Sequence, residues 1–223
     1  MLRFHHRTEA GQLLAGKLTA YKDRQDVLVL ALPRGGVPVA FEIAKALHVP
    51  LDILVVRKLG TPGQEELAMG AITTGGVRVL NSNIVQVMGI PRHVIDSVTA
   101  HEQQELRRRE HLYRGDRPLP TIQGQTIILV DDGMATGATM RVAATAMKQY
   151  QPAHIVIAVP VAAPTTCTEL AEEGFEVVTL IRPEPFYAVG FWYEQFTQTS
   201  DQEVRDLLEQ AWNEHSVTQD KVT

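Results

Sequence analysis

The residues able to do chemistry at a defined spacing lie together in one run of the 223-residue chain, Asp131-Asp132-Gly133-Met134-Ala135-Thr136-Gly137-Ala138-Thr139. Two adjacent carboxylates suit hydrogen bonds to paired sugar hydroxyls. Gly137 and Ala138 carry almost no side chain, so the backbone can approach a ligand and turn its N–H groups onto phosphate oxygens. Thr136 and Thr139 add hydroxyl donors. Ile127 to Val130, just upstream, have the apolar, mostly β-branched character of a buried strand. Met140, Ala144 and Met147, just downstream, share one face of a helix. The loop therefore sits at a helix N-terminus, where the dipole favours negative charge. An ordinary strand–turn–helix would explain the glycine and the capping threonine. It would not explain two acids at the end of an apolar strand, which are costly without a partner.

A second unit of the same kind lies upstream. Val27 to Leu32 is a fully apolar strand of parallel-sheet type, followed by Pro33-Arg34-Gly35-Gly36 and a helix with Pro38 in its first turn. The buried face of that helix is Val37, Ala40, Phe41, Ala44 and Leu47. Taken alone, this loop fits a turn with a solvated arginine as well as it fits an anion site. A third apolar strand, Ile53 to Val56, delivers Arg57 and Lys58 at its end. Leu59 to Gly70 is rich in turn formers, and Ala71 to Thr74 with Val77 to Leu80 forms a hairpin about Gly75-Gly76. Later strands are His154 to Val159 and Val177 to Ile181, with a helix from about Pro164 to Glu173 between them.

Composition bounds the rest. Hydrophobic residues make up 44% and charged residues 21%, as in ordinary globular proteins. A net charge of −5 argues against a general nucleic-acid coat or binding to an anionic membrane. The single cysteine, Cys167, excludes an internal disulfide and fits a reducing, cytoplasmic setting; lacking a nearby histidine as base, it is expected to be structural. No signal core is expected at the N-terminus, and Ile155 to Ala163 is too short to span a bilayer. A first helix is expected over Thr8 to Tyr21, capped by Thr8, with His5 and His6 on the surface. Pro91 to Tyr113 forms a long polar helix with an i,i+4 pair between Glu105 and Arg109, expected to be solvated or to contact another subunit. From His101 to Arg117 five arginines (Arg107, Arg108, Arg109, Arg114 and Arg117) face four acids (Glu102, Glu105, Glu110 and Asp116), a net of +1 that does not suggest RNA binding.

The central run resembles the phosphoribosyl-diphosphate (PRPP) motif of the type I phosphoribosyltransferases: apolar strand, two acids, two spacers, then Ala-Thr-Gly-x-Thr. It differs from the Walker pattern, since no Gly-Lys-Ser/Thr closes the loop. The resemblance implies that Asp131 and Asp132 hold the ribose and that Met134, Ala135, Thr136, Gly137, Ala138 and Thr139 hold the 5′-phosphate. It implies a diphosphate loop at Arg34, Gly35 and Gly36, with a cis peptide between Pro33 and Arg34. It further implies a basic pair, Arg57 and Lys58, followed by a lid. Arg34, Lys58, Asp131 and Asp132 are then the catalytic candidates. In the aromatic stretch Pro185 to Phe196, Tyr187 matches the residue that stacks on the base, and Glu194 matches an acid near base or metal. Asp131, Asp132 and Glu194 are the weak or indirect candidates for Mg²⁺. The hypoxanthine–guanine type puts a carboxylate where this chain has Ala135.

The fold expected is α/β, a doubly wound and mostly parallel sheet; the resemblance implies the order 3-2-1-4-5-6, with Val77 to Leu80 antiparallel at one edge. One domain is expected over 1–223, its core over about 25–182. The helix 8–21 and the segment 183–214 would serve as hood or flank, and 216–223 as a frayed tail. The implied activity is Mg²⁺-dependent transfer of the phosphoribosyl group from PRPP to a nitrogen heterocycle, with diphosphate released. The partners implied are PRPP and a small heterocyclic acceptor, in a homodimer, without nucleic acid or membrane. The alternative is a protein that keeps the same site to sense PRPP or a nucleotide and regulates a partner.

Overall fold

A computed structural model describes residues 3–220. In chain order the first elements are α1 (Arg7–Ala15), β1 (Val27–Ala31), α2 (Gly36–Leu47), β2 (Leu51–Ile53), β3 (Val56–Thr61), β4 (Gln64–Thr73) and β5 (Arg78–Leu80). There follow α3 (Ser82–Val87), α4 (Arg92–Arg114), β6 (Thr126–Val130), α5 (Ala138–Lys148), β7 (His154–Val161), α6 (Pro164–Glu172), β8 (Glu176–Ile181) and α7 (Asp201–Asp220). Five strands form one parallel sheet in the order β2-β1-β6-β7-β8. Every residue of β1 and β6 is buried, as uninterrupted apolar strands require. Successive side chains alternate between two cores. Val29, Ile128 and Val156 pack toward α2 and α7, whereas Leu30, Leu129 and Ile157 pack toward α5 and α6. Among the described residues, no helix is long and apolar enough to cross a membrane.

The parallel strands follow the expected order, and the antiparallel strand is displaced. Arg78–Leu80 does not edge the main sheet but belongs to a second, three-stranded antiparallel sheet, β3-β4-β5. The chain passes from one sheet to the other at Leu54 and Val55. The Leu54 N–H still donates to the Ala31 carbonyl of β1 (2.9 Å), whereas Val55 exchanges hydrogen bonds with Thr74, its N–H to the hydroxyl and its carbonyl from the Thr74 N–H, both 2.9 Å. The strand expected over Ile53 to Val56 is therefore two strands, and Arg57 and Lys58 lie inside β3. The expected loop over Leu59 to Gly70 is mostly ribbon, with its turn at Pro62-Gly63 and register shifts around Gly60.

The N-terminal helix is shorter than expected. It ends at Ala15, and Thr19–Tyr21 forms a separate 3₁₀ turn. Its cap is His6 rather than Thr8, because the Glu9 N–H donates to His6 Nδ1 at 3.2 Å. Ser216 to Asp220, expected in a tail, continue α7, while 221–223 lie outside the described residues. Through α7 the C-terminal segment covers α2, α4 and β2, and the Trp212 indole N–H donates to the Leu51 carbonyl at 2.9 Å.

Helix α4 carries the expected Glu105–Arg109 pair at 2.8 Å. Its last residue departs from the solvated expectation. Arg114 is only 6% exposed, lies 3.0 Å from Asp52 Oδ1, and donates to the Ile53 carbonyl at 3.0 Å. Burial pushes the Asp52 carboxyl up and Arg114 pulls it back. The pair fastens α4 to β2, just before the chain leaves the main sheet. Arg114→Ala would strand a buried carboxylate, and we expect a loss of about 3–5 kcal/mol in urea denaturation. A loss of under about 1 kcal/mol, the size of a surface pair, would remove this fastening role.

Candidate active site

Strands β1 and β6 are paired in parallel, with Ala31 opposite Val130, so the loops after them lie side by side. From β1 the chain moves to β2 on one side, and from β6 to β7 on the other. This is the point of an open α/β sheet where ligands enter, at the carboxyl ends of the strands. The Pro33–Arg34 peptide is cis, at the expected position. Gly35 lies against the acids so closely that a Cβ there would collide with the Asp132 carboxylate.

The loop after β6 is held by the neighbouring strand and helix. The Met134 N–H donates to the Val161 carbonyl and the Met134 carbonyl accepts from the Ala163 N–H, both at 2.9 Å. The Ala135 carbonyl accepts the Thr166 hydroxyl at 2.5 Å. Gly137 adopts φ 68°, which an L side chain resists, and a Cβ there would meet Thr166 Cγ2 at 2.5 Å. With the loop so fixed, the N–H groups of Ala135, Thr136 and Gly137 have no main-chain acceptor among the described residues. The residues that carry them line, with Asp131 and the rest of 133–140, a cavity of about 140 Å³ at the N-terminus of α5. Donors without acceptors at a helix N-terminus make an anion site.

The two acids are engaged on one oxygen each. Asp131 Oδ1 accepts the Asp132 N–H at 2.8 Å. Asp132 Oδ2 accepts from Arg7, whose Nε and Nη2 both lie 2.8 Å away. Asp131 Oδ2 and Asp132 Oδ1 accept from no described residue, which leaves two acceptors on adjacent side chains. Burial, and then the Asp132 charge, push the Asp131 carboxyl well above its ordinary range. Burial also raises that of Asp132, against the pull of Arg7. Such a pair is stabilised by donors or a cation arriving with a ligand. The Tyr193 hydroxyl donates to the Asp132 carbonyl at 2.6 Å, and burial raises its own pKa.

The other expected residues are drawn elsewhere. Arg34 Nη1 lies 3.6 Å from Asp201 at the start of α7, and Asp201 also accepts the Tyr113 hydroxyl at 2.6 Å. Arg57 pairs with Glu102 of α4 at 2.6 Å. Arg57 and Lys58 line a cavity of about 650 Å³ between the ribbon and α4, with Glu65 and His101. Tyr187 is exposed, its ring 5.2 Å from that of Phe191. Glu194 pairs with His5 at 2.5 Å. Cys167 is buried and its thiol is pushed up by burial, as befits a structural cysteine. Sequence reasoning missed Arg7 and Tyr193, which stand 125 and 61 residues from Asp132, where no local pattern could link them.

No group of three or more His, Cys, Asp or Glu side chains is placed to hold a metal ion among the described residues. The two open carboxylate oxygens suit an ion that brings most of its oxygen ligands with a substrate.

Comparison with known proteins finds relatives over most of the chain. A Mycobacterium tuberculosis protein provisionally named a phosphoribosyl transferase is 44% identical over 211 residues, covering 95% of this chain and 47% of its own length. This chain thus spans about half the length of that relative. A bifunctional protein PyrR from Geobacter sp. (strain M21) is 37% identical over 104 residues, covering 44% of this chain and 58% of its own length. The crystal structure of TT1426 from Thermus thermophilus superposes with a TM-score of 0.83 at 39% identity, over 94% of this chain and 99% of that one. The family model described as phosphoribosyl transferase domain matches residues 5–191, and with it the loops after β1 and β6; the chain belongs to that family.

Proposed function

We propose that the protein transfers the 5-phosphoribosyl group of PRPP to a ring nitrogen of a planar heterocycle. The bond from C1 to the diphosphate oxygen breaks, the bond from C1 to nitrogen forms, and diphosphate leaves with the bonding pair. The observation that carries this reading is the junction of two structures at one sheet end: the N–H cradle at 135–137 and the two open oxygens of Asp131 and Asp132. The cradle would take the 5′-phosphate, with Thr136 and Thr139 as further donors. The acids would accept from the vicinal ribose hydroxyls and so turn C1 toward the loop after β1.

The transition state has oxocarbenium character, so the protein's work is to hold the ring and stabilise the leaving group's charge. The backbone of Gly35 and Gly36 and the side chains of Arg34, Arg57 and Lys58 are the donors proposed for the diphosphate. Arg34 and Arg57 would exchange Asp201 and Glu102 for phosphate oxygens when the substrate arrives. Mg²⁺ carried by the substrate would neutralise diphosphate charge, with Asp131 and Asp132 as its nearest carboxylates. The ribbon β3–β4 would close over the site and exclude water from the carbocation-like state. Exposed Tyr187, beside Phe191, offers the flat face a heterocycle needs. With Ala135 at the position where one class of relatives carries an acid, the heterocycle's proton is proposed to leave to solvent.

The test is diphosphate release from PRPP and Mg²⁺ against purines, pyrimidines and nicotinate-like acids. We expect release that depends on one heterocycle, and PRPP affinity at least about tenfold weaker in Asp131→Asn/Asp132→Asn. Tight PRPP binding without acceptor-dependent release would instead favour a sensor.

Lys58→Ala should lower kcat roughly a hundredfold, the scale of losing one donor to a developing anion, while the Kd for PRPP changes little. If only KM rises in steady-state kinetics, Lys58 contributes ground-state binding and nothing more.

A further inference from the structure

Arg7 is a residue at the site that neither sequence pattern nor the proposed chemistry assigns. It is the first residue of α1, only 11% of its side chain is exposed, and each nitrogen of its guanidinium has a role. Nε and Nη2 both approach Asp132 Oδ2, and Nη1 donates to the Thr197 carbonyl at 2.7 Å. The Phe196 ring lies beneath the guanidinium, 4.0 Å from its central carbon. The helix that carries Arg7 is itself packed on α2, so closely that a Cβ at Gly11 would meet the Val39 carbonyl oxygen at 2.7 Å. The preceding residues run beside the segment that supplies Phe196 and Thr197. The Phe4 N–H donates to the Trp192 carbonyl (2.9 Å) and the Phe4 carbonyl accepts the Glu194 N–H (2.8 Å).

We infer that Arg7 is a positioning residue for the ribose-binding acid: it takes Oδ2 of Asp132 and thereby presents Oδ1 to the ligand. This rests on the phosphoribosyl transfer proposed above. Three features support positioning over mere charge balance. Both Arg7 contacts fall on the same oxygen, so the other remains an acceptor. The carboxylate cannot swing away, because Gly35 backs it and α1 fixes the cation. A planar fork held at three nitrogens sets an angle, which a point charge does not. The guanidinium also bridges from the acid to the aromatic segment at 196–197, so that segment and the ribose clamp share one anchor.

The experiment is calorimetric titration with PRPP and Mg²⁺, and separately with inorganic phosphate, of wild type, Arg7→Gln, Arg7→Lys, Asp132→Asn and the Arg7→Gln/Asp132→Asn double variant. We expect Arg7→Gln to weaken PRPP binding about tenfold, the scale of a misplaced binding group, and to leave phosphate affinity unchanged. Arg7→Lys should resemble Arg7→Gln, since charge without the fork does not orient the carboxylate. On the Asp132→Asn background, Arg7→Gln should have little further effect, because it acts through that acid. Wild-type PRPP affinity in Arg7→Gln, full rescue by lysine, equal additive losses in the double variant, or parallel loss of phosphate binding would each overturn the inference. A wild-type chain that binds phosphate but not PRPP would overturn the transfer reading and this inference with it.

Discussion

Two carboxylates side by side at the end of a buried strand repel each other and lose hydration, and the architecture around the site answers that constraint. Asp131 turns one oxygen onto the next main-chain N–H. Asp132 gives one oxygen to Arg7, which reaches it from the N-terminal helix. Neither arrangement saturates the acid. Burial raises both carboxyls above their ordinary range, so the charged pair gains from donors or a cation that a ligand brings.

The same constraint explains the neighbouring elements. Gly35 is glycine because the Asp132 carboxylate occupies the space of a Cβ, which brings the loop after β1 hard against the acids. The N-terminal arm pairs with residues 192–195 and so brings Arg7 to a site at the middle of the sheet. Met134 is tied to β7 and Ala135 to α6, so the loop cannot fold its N–H groups back onto its own carbonyls. The residues that carry those donors line the cavity at the start of α5. A rigid sheet holds both the donors and the acids, as a site needs when it must fix a sugar between them.

What could be read in the sequence follows from whether the signal is local. Strands β1, β6 and β7 were legible because apolar runs buried on both faces have no other reading at that length. The loop 131–139 was legible because its acids, glycine and threonines are consecutive. The ribbon β3–β4 was not, since Pro62, Gly63 and the polar run from Gln64 carry turn and loop chemistry, and a shifted register around Gly60 breaks the alternation. The transfer of β5 to a second sheet depends on Thr74 capturing Val55, a contact between residues 19 apart. Arg114 resembled its solvated neighbours on α4 until its burial against Asp52 separated it from them. Arg7 gave no signal at all, because its partner lies 125 residues away and one arginine near a chain terminus resembles any other. Long-range charge pairs are set by topology, and topology is the part of a fold least visible in a single sequence.

Phosphoribosyl transfer at this site requires one ligand to span the N–H cradle and the acid pair. A crystal structure with PRPP and Mg²⁺ tests it most directly. The 5′-phosphate is expected on the N–H groups of Ala135 to Gly137 and the two ribose hydroxyls within hydrogen-bonding distance of Asp131 Oδ2 and Asp132 Oδ1. A 5′-phosphate seated instead in the cavity between the ribbon and α4, against Lys58 and His101, with the acids left untouched, would contradict it.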